Sequence, residues 1–464
     1  MASLRMACYF IYRSSNKPLN KMKFIISLLL ISCCSFSNAQ TVKHVVLISI
    51  DGLRPEFYLD AQYPTPNLQK MKASGAYARK VKSVFPSYTY PSHVTMLTGA
   101  LPARSGIYYN VPIGSTGDWN WFIKDIKVKT IWSALKENNL SSAAVEWPVS
   151  VGDIIDYNIP EIWSKEHPED RITESRKYAT KGLVEDIEKD ATGVLNGDNM
   201  NEEFLCLDAN SGRIAAYILQ KYKPGFMALH FAGVDGAQHG YGRDGIEVKK
   251  ALANVDNAIG MVEEAVRRAG LTDSTVILVT GDHGFMDMHD IIKPNTWLAE
   301  ARLLVPGSNQ WKARFVAAGG SAFLYLRDKN DKKTLDNVLD LLNGLPLSQK
   351  KLFNIYKRKK LDEMGADSSA AIALSAVPGV VFSGGIVENK SNGMLTPISG
   401  GHHGYDPNYP EMYTGFIASG ANINKTVIDI MGVEDIAPLI AKLLGFQFVS
   451  PDGILLPSII KAEK

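Results

Sequence analysis

Cysteine is scarce in this chain, and most of it lies close to the N-terminus. The sequence has four cysteines among 464 residues, and Cys8, Cys33 and Cys34 fall within the first 34 positions. Beyond them only Cys206 remains, which excludes an intrachain disulfide from the rest of the chain. A chain of this length buries enough apolar surface to fold without cross-links of that kind.

Net charge is small as well. The formal charge is +2, with 50 basic and 48 acidic residues. Residues 1–39 contain five of the basic residues and no acidic residue, so the remainder has 45 basic and 48 acidic residues, a net charge of −3. This balance excludes a protein-wide basic field that would hold nucleic acid or an anionic membrane. We therefore expect a small-molecule substrate and no stable nucleic-acid partner.

Long hydrophobic runs are also missing. No stretch reaches the ~18 apolar residues that a membrane-spanning helix needs, so the sequence predicts no transmembrane segment. The N-terminus instead has the order of a secretory signal, with a basic start at Lys21–Lys23, an apolar core at Phe24–Ile31 and small residues at Ser37–Ala39. This order predicts a signal peptide over residues 1–39 and a periplasmic or secreted protein.

Two features of the N-terminal region leave alternatives open. Met22 is an alternative start, because residues 1–21 add nothing that a signal peptide needs. The segment Leu30–Cys33 loosely resembles a lipoprotein box. A lipid anchor at Cys33 and an outer-membrane location are therefore the alternative to simple secretion.

Short apolar runs alternate with helical patterns along the rest of the chain. Four such runs are Val45–Ile50, Ser142–Trp147, Phe226–Phe231 and Val276–Thr280. Continuous apolar character is typical of central strands that are buried on both faces. The clearest helical pattern runs from Glu247 to Ala269, where apolar residues recur every three or four positions. The alternation predicts an α/β fold with a mostly parallel central β-sheet and helices on both faces.

Two stretches fit this alternation poorly, around residues 150–210 and 290–400. Both are polar and contain frequent short breaks. We interpret them as insertions over the C-terminal edge of the sheet, where substrate-binding loops usually lie. The sequence therefore predicts a single α/β domain over residues 40–464 with these two insertions.

Acidic and histidine residues follow predicted strands or tight glycine turns at four points in the chain. They are Asp51, Asp235 with His239, Asp282 with His283, and His403. Any one of these short motifs alone is more typical of an ordinary turn. Because the carboxyl ends of parallel strands meet at one edge of a sheet, these side chains can converge in one cleft. Three carboxylates and three imidazoles in one cleft indicate a metal site, and zinc suits this donor set.

Residues 89–93, Thr-Tyr-Pro-Ser-His, make the expected chemistry more specific. This segment resembles the nucleophile motif of the nucleotide pyrophosphatase/phosphodiesterase (NPP) branch of the alkaline phosphatase superfamily. The resemblance extends from Val45 to about Asp406, with the motifs in the family's order. The family usually has Phe where Tyr90 stands and Asn where Ser92 stands. These departures concern the wall that contacts the base more than the chemistry.

The resemblance implies an alkaline-phosphatase-like sandwich with a smaller inserted cap region, and a site with two Zn²⁺ ions. It also implies the metal ligands: Asp235, His239 and His403 for one zinc, and Asp51, Asp282 and His283 with the Thr89 oxygen for the other. His403 is preferred to its neighbour His402, because the family's ligand directly precedes a Gly-Tyr-Asp sequence.

The same resemblance implies catalysis through Thr89. A threonine hydroxyl is a weak nucleophile near neutral pH, and zinc stabilises its alkoxide. In-line attack on the phosphoryl group would then form a phospho-threonine intermediate. Asn110 matches the family's asparagine after a Gly-Ile turn, which binds a phosphoryl oxygen together with the backbone N–H of Thr89.

The predicted reaction is the hydrolysis of a phosphodiester or pyrophosphate bond. Monoesterases of this superfamily carry a Lys-x-Arg pair after the strand that corresponds to residues 143–145, whereas Glu146–Ser150 contains no cation. A diester carries less charge and needs less positive charge around it. Phosphomonoesterase (alkaline phosphatase) and phosphonate hydrolase activities are the alternatives, and an inactive binding protein is a remote one.

Aromatic residues suggest which substituent the diester carries. Tyr90 could stack on a nucleobase, and a further wall could come from Trp119, Trp121 and Phe122, although these residues are equally suited to packing. Nucleotides are therefore the leading substrate class. Lysophospholipid-like diesters remain open, and the sequence does not specify the oligomeric state.

Overall fold

The computed structural model describes residues 41–462, with gaps at residues 116, 153, 204 and 388–394. The predicted signal peptide, the alternative start at Met22 and the alternative lipidation site Cys33 lie outside these described residues. The described residues belong to one compact unit.

The strands and helices alternate along much of the described chain. The strands are β1 (His44–Ile50), β2 (Ala76–Ala78), β3 (Val81–Lys82), β4 (Ser142–Val145), β5 (Tyr157–Ile159), β6 (Phe226–Phe231), β7 (Thr275–Thr280), β8 (Met286–Asp287), β9 (Asp290–Ile292), β10 (Ala313–Ala318), β11 (Ser321–Leu326), β12 (Phe353–Lys357), β13 (Ile372–Ala376), β14 (Val380–Phe382), β15 (Leu395–Pro397), β16 (Gly401–His402), β17 (Phe416–Gly420), β18 (Thr426–Ile428) and β19 (Met431–Gly432). The α-helices are α1 (Glu56–Leu59), α2 (Pro66–Ser74), α3 (Thr89–Thr98), α4 (Pro102–Ser105), α5 (Ile131–Glu137), α6 (Ser175–Tyr178), α7 (Leu183–Ile187), α8 (Cys206–Tyr222), α9 (Gly233–Tyr241), α10 (Ile246–Arg268), α11 (Asn295–Glu300), α12 (Lys332–Asn343), α13 (Leu347–Lys350), α14 (Arg358–Glu363) and α15 (Ile436–Leu444).

The central sheet has eight strands in the order β18-β2-β17-β7-β1-β6-β4-β5. The five strands from β7 to β5 in this order run parallel to one another, and β17 is antiparallel to β7. Ile50 at the end of β1 is in register with Phe231 of β6, and the adjacent Ser49 is in register with Thr280 of β7. The residues that follow these three strands therefore start from neighbouring positions at one edge of the sheet.

Helices cover both faces of this sheet, because the side chains of its strands alternate between two apolar clusters. Val46 and Ile48 of β1 pack with α8 and α10 on one face. Val45 and Leu47 pack with α3, α5 and α15 on the other face. The predicted long helix is α10, which begins and ends within a residue of the predicted bounds. The mostly parallel sheet between two layers of helices is confirmed.

The stretch around residues 290–400 contains regular structure of its own. Strands β10, β11, β13 and β12 form a four-stranded antiparallel sheet in that order. Its apolar cluster is separate from those of the central sheet and includes Phe315, Leu324 and Val338. Arg314 in β10 is exposed while its neighbours Ala313 and Phe315 are buried. The other face of the sheet is covered by a second apolar cluster that includes Phe323 and Tyr325, so exposed positions occur only in the edge strands β10 and β12.

The stretch around residues 150–210 is more irregular. It contains β5, which extends the edge of the central sheet next to β4, and the short helices α6 and α7. It also brings several polar and aromatic side chains to the cavity at the strand ends, as described below. None of the described helices combines the length and the apolar character needed to cross a membrane.

Candidate metal centre and active site

The ends of β1, β6 and β7 deliver the predicted ligands to one place. Asp51 directly follows β1, and Asp282 and His283 follow β7 after a single glycine. Asp235 and His239 lie one turn apart on α9, which begins two residues after β6. A turn through Gly52, whose φ is +68°, lets the backbone leave β1 sharply beside this site.

Asp51, Asp282 and His283 form one group whose potential ligand atoms all lie within 4.8 Å of one another. The Nε2 atom of His283 lies 3.2 Å from Asp51 Oδ1 and 3.1 Å from Asp282 Oδ2. All three side chains are buried. These are the three ligands that the resemblance assigns to one zinc.

A second group surrounds Asp235. Its Oδ2 lies 3.3 Å from Nε2 of His239, and its Oδ1 lies 3.7 Å from Nε2 of His403. His403 stacks on His283 with 3.8 Å between the ring centroids, so the two groups adjoin. His402 also reaches this region, since His239, His402 and His403 form a further group of potential ligands.

The three aspartates each leave one carboxylate oxygen without a hydrogen-bond partner among the described residues. These oxygens are Asp51 Oδ1, Asp235 Oδ1 and Asp282 Oδ2. Burial raises the pKa of all three carboxyl groups, and repulsion from Asp282 and Asp235 raises that of Asp51 further. Buried carboxylates that repel one another need a compensating positive charge. The donor set of carboxylate oxygens and imidazole nitrogens fits zinc.

The histidines are oriented for metal binding by backbone carbonyls. In each case Nδ1 faces a carbonyl oxygen and Nε2 is left for another ligand. The Nδ1 distances are 3.0 Å from His239 to Gly401, 3.2 Å from His283 to Gly284 and 3.0 Å from His403 to Ser87. Burial, with repulsion between neighbouring histidines, lowers the pKa of His283 and His403 well below the usual value. The neutral form that a metal requires is therefore favoured.

Thr89 is the first residue of α3, and its side chain lines the same cavity as the metal-ligand groups. Its Oγ1 lies 3.4 Å from Nε2 of His283. The amino end of a helix carries a partial positive charge, which favours a phosphoryl group at this position. His93 lies one turn further along α3 and is buried, and its Nδ1 is 2.8 Å from the carbonyl oxygen of Thr89.

Asn110 approaches the same helix end from the loop that follows α4. Its Oδ1 accepts a hydrogen bond from the backbone N–H of Tyr90 at 3.0 Å. Asn110 also lines the cavity. The acceptor half of the amide is therefore occupied, and the NH₂ half is the part that can donate to a ligand.

The aromatic wall differs in detail from the predicted one. Tyr90 is fully buried, and its ring meets Trp119 at 5.2 Å and 66°. Trp119 is only half-buried and lines the cavity together with Trp163. Trp121 packs against Trp163. Tyr90 lines the cavity together with these tryptophans, but its side chain is fully buried whereas Trp119 is partly exposed.

Sequence reasoning missed several residues at this site. His230 lies inside the apolar run of β6, and it is buried with both ring nitrogens near acceptors. One of these acceptors is Asp51 Oδ2 at 3.2 Å, and the other is the carbonyl oxygen of Glu146 at 3.1 Å. His230 therefore holds a predicted ligand in place. Its position in β6, beside β1, was the available signal.

The cavity also contains charged residues from the stretch around 150–210. Its lining includes Glu161, Arg171 and Glu202. Arg171 supplies a cation that the segment after β4 lacks, but its guanidinium forms an ion pair with Glu202 and lies 4.0 Å from Glu161. The positive charge is therefore balanced by carboxylates, and no motif in the sequence pointed to these residues.

Comparison with known proteins agrees with this geometry. The sequence matches the family described as type I phosphodiesterase / nucleotide pyrophosphatase over residues 45–406. The chain belongs to this family. It is a nucleotide pyrophosphatase/phosphodiesterase relative within the alkaline phosphatase superfamily, as the nucleophile and ligand motifs indicated.

Curated relatives cover different parts of the chain. Ectonucleotide pyrophosphatase/phosphodiesterase family member 3 of Mus musculus is 26% identical over 249 residues, which are 52% of this chain and 24% of that protein. Venom phosphodiesterase 2 of Crotalus adamanteus is 24% identical over 396 residues, 82% of this chain and 42% of the venom protein. The matches thus span about a quarter to under half of the length of these relatives.

Solved structures of the family have the same fold. Murine ectonucleotide pyrophosphatase/phosphodiesterase 5 matches with a TM-score of 0.62 and 21% identity, covering 88% of this chain and 96% of that chain. An inactive threonine-to-alanine variant of the same murine protein, in complex with AMP, matches with a TM-score of 0.63 and 20% identity, with the same coverage. The predicted alkaline-phosphatase-like fold is confirmed.

Proposed function

We propose that this protein is a metal-dependent phosphodiesterase or nucleotide pyrophosphatase that uses Thr89 as its nucleophile. The observation that carries the proposal is the convergence of three buried aspartates and three histidines around one threonine hydroxyl at a helix start. Family membership supports the same reaction class. An inactive binding protein is disfavoured because every group needed for the reaction is present.

We assign two zinc ions to the site. Asp51, Asp282, His283 and Thr89 would hold one, and Asp235, His239 and His403 the other. When bound, zinc would lower the pKa of the threonine hydroxyl and stabilise negative charge on the phosphoryl and leaving oxygens. His402 is not assigned, because its Nδ1 accepts the backbone N–H of His403 and its ring packs against His239.

The protein's own groups would act on the phosphoryl group as follows. The Thr89 oxygen attacks phosphorus in line with the leaving oxygen, which forms a phospho-threonine ester and releases one product. The NH₂ group of Asn110 and the backbone N–H of Thr89 donate to a non-bridging oxygen. Water then hydrolyses the ester and regenerates Thr89. The buried ligands keep their geometry through both steps, since His230 and backbone groups hold them.

Nucleotides remain the leading substrate class. The murine relative binds AMP in its inactive variant, and the cavity here has a volume of about 350 Å³, enough for a substituent on the phosphoryl group. Trp119 supplies aromatic surface in this cavity. The balanced charge of Arg171 favours a diester or pyrophosphate over a monoester dianion.

A pair of chromogenic substrates tests the proposal. The purified protein should hydrolyse bis-p-nitrophenyl phosphate faster than p-nitrophenyl phosphate, and a chelator should abolish both activities. Faster monoester turnover would contradict the diesterase assignment and favour the alkaline phosphatase alternative. Absence of turnover together with absence of bound metal by elemental analysis would favour a binding protein.

We also propose that the protein acts outside the cytoplasm, on the basis of the N-terminal signal pattern. The mass of the mature protein isolated from its host decides between cleavage of the signal after Ala39 and lipidation at Cys33. A chain that begins at Gln40 indicates cleavage after Ala39. A chain that begins at a lipid-modified Cys33 indicates a lipoprotein, and an uncleaved chain in the cytoplasm contradicts both.

A further inference from the structure

The cavity at Thr89 is lined by a second set of charged side chains, separate from the metal-ligand groups. Glu161 and Arg171 line the cavity, and their relative exposures are only 7% and 5%. Charged side chains that are buried to this degree cost free energy unless their polar atoms are paired or bind a ligand. Their hydrogen-bonding therefore indicates what the cavity accepts.

The pairing of these two side chains is incomplete. Arg171 directs Nη2 to Glu202, but its Nη1 lies 4.0 Å from Glu161 Oε1, which is longer than a hydrogen bond. Arg171 Nη1 and Glu161 Oε2 have no hydrogen-bond partner among the described residues. Both atoms are almost inaccessible to solvent, and Glu161 Oε2 lies 3.9 Å from Nδ1 of His230, beyond hydrogen-bond distance. A buried donor and a buried acceptor are therefore left unpaired in two side chains that line the cavity.

The aromatic residues around this pair limit the shape of the ligand. The guanidinium of Arg171 covers the face of Trp163 at 3.7 Å from the ring centroid. Trp119 meets Trp163 at 71° and Tyr90 at 66°, so these three rings are arranged edge to face. Such a wall does not sandwich a flat ring between two parallel faces. It suits a saturated ring or chain that lies against the half-buried Trp119.

The charges around the pair limit the ligand further. Arg171 lies beside Glu161 and disfavours a cationic head group. Glu161 and Glu202 disfavour a second anionic group at the same place. A neutral substituent that offers both donors and acceptors fits best, and hydroxyl groups have this property.

We propose that Glu161 and Arg171 bind neighbouring hydroxyl groups on the substituent of the phosphodiester, so that they determine substrate specificity. One hydroxyl of a vicinal diol donates to Glu161 Oε2, and the adjacent hydroxyl accepts from Arg171 Nη1. The carbon skeleton of the diol packs against Trp119. The diol is the ribose of a nucleotide or part of a sugar or polyol diester. This inference rests on the proposed function, because the diol must be joined to the phosphoryl group that Thr89 attacks.

Matched p-nitrophenyl phosphodiesters test the inference. One pair compares the uridine 5′-ester with the 2′-deoxyuridine 5′-ester, and another compares the 2,3-dihydroxypropyl ester with the propyl ester. We expect kcat/KM to be about 10-fold to 100-fold higher for the diol member, the effect of leaving buried polar groups unpaired. Preference within the uridine pair identifies ribose, and preference within the propyl pair identifies a polyol. Equal rates within both pairs overturn the inference.

The methyl p-nitrophenyl ester separates this inference from the proposed function. It carries no diol, so metal-dependent hydrolysis of this ester tests the phosphodiesterase chemistry alone. Hydrolysis of the methyl ester without any diol preference rejects the role of Glu161 and Arg171 only. If no ester is hydrolysed by the metal-loaded protein, both the proposed function and the inference that rests on it are rejected.

Substitutions test which residues cause the preference for diol esters. Glu161→Met and Arg171→Met should each reduce the diol preference to within about twofold, since each leaves one hydroxyl unpaired. Glu166→Met is the matched control, because Glu166 is exposed in the same stretch and does not line the cavity. Metal content and circular dichroism check that each variant is folded. If Arg171→Met does not fold, Glu161→Met decides alone, and a retained preference in that variant overturns the inference.

Discussion

The backbone N–H of Tyr90 donates a hydrogen bond to Oδ1 of Asn110, with 3.0 Å between the two atoms. This bond fixes the orientation of the Asn110 amide at the start of α3, where Thr89 is also located. The proposed nucleophile and the group assigned to the phosphoryl oxygen are therefore located at the same helix end. The proposed role of Asn110 depends on its NH₂ group, since its oxygen is already used.

Asn110→Asp tests that role with little change in size. The aspartate can still accept the Tyr90 N–H, but it can no longer donate to the phosphoryl oxygen and it adds negative charge. We expect kcat for bis-p-nitrophenyl phosphate to fall by about 10²–10³-fold, the usual effect of removing one such donor. Asn309→Asp, at an exposed position, is the control. Wild-type kcat in Asn110→Asp would contradict the role.

Thr89→Ala removes the proposed nucleophile and should leave the metal-ligand cluster in place. We expect turnover to fall by a factor on the order of 10³ or more, as when other nucleophiles are removed. Zinc content, measured by elemental analysis, should remain near the wild-type value. Thr272→Ala, at an exposed threonine, serves as the control. A variant with near wild-type turnover would show that another group attacks phosphorus.

His230→Ala tests whether the contact with Asp51 supports metal binding. The substitution removes the 3.2 Å contact between His230 Nε2 and Asp51 Oδ2, so the Asp51 carboxylate should be free to change its orientation. Loss of such a supporting group typically lowers metal affinity by about 10–100-fold. Competition with a chelator of known affinity measures the effect. His167→Ala, at an exposed loop histidine, should bind zinc like the wild type, and equal affinity in His230→Ala would reject the contact's role.

Metal removal should make stability depend strongly on pH. Burial raises the pKa of Asp51, Asp235 and Asp282 above their usual value of 3.8. The folded metal-free protein therefore retains protons that the unfolded chain has lost, and its stability falls as pH rises above about 4. Bound zinc compensates the carboxylates, so the difference in Tm between zinc-loaded and chelated protein should widen from pH 5 to pH 8. A constant difference would contradict this prediction.

Glu161→Gln should change the pH dependence of stability in the metal-free protein. Burial raises the pKa of Glu161 to about 8, although Arg171 opposes the shift. An acid with a raised pKa in the folded state loses stability as pH increases from the unfolded pKa, about 4.5, to the folded pKa of about 8. Replacement by neutral glutamine removes this loss, so the variant should gain stability relative to the wild type across that range.

Denaturant unfolding between pH 5 and pH 8 measures this gain. Glu166→Gln removes one carboxylate at an exposed position of the same stretch and should show no such trend relative to the wild type. If the unfolding free energies of Glu161→Gln and Glu166→Gln change in parallel with pH, the buried carboxyl group of Glu161 does not contribute to the pH dependence of stability.

Much of the fold could be predicted because local patterns and packing agree in the central sheet. The apolar runs at β1, β6 and β7 are buried strands, and the three-and-four spacing in α10 is a helix that covers them. The four-stranded antiparallel sheet formed by β10 to β13 was not predicted. Its edge strands β10 and β12 contain exposed positions, and polar segments interrupt its short apolar runs, so no strand pattern was recognised.

The position of the predicted ligands also followed from the sequence, because each one follows a predicted strand or a glycine turn within a few residues. Parallel strands end at one edge, so the order of motifs along the chain already predicted that Asp51, Asp235 and Asp282 would meet. The chemistry of the donor atoms then favoured zinc. These conclusions needed only residue type, spacing and the geometry of a parallel sheet.

Other contacts were decided by tertiary structure alone. Tyr90 meets Trp119 edge to face at the cavity, and Arg171 and Glu161 enter the cavity from a stretch whose own pattern is irregular. Whether a charged or aromatic side chain faces solvent, core or cavity depends on which distant residues pack over it, and neither spacing nor composition encodes that. The amino-acid sequence determined which groups can perform the chemistry. The packed chain determined which of them converge beside Thr89 and which other groups line the same cavity.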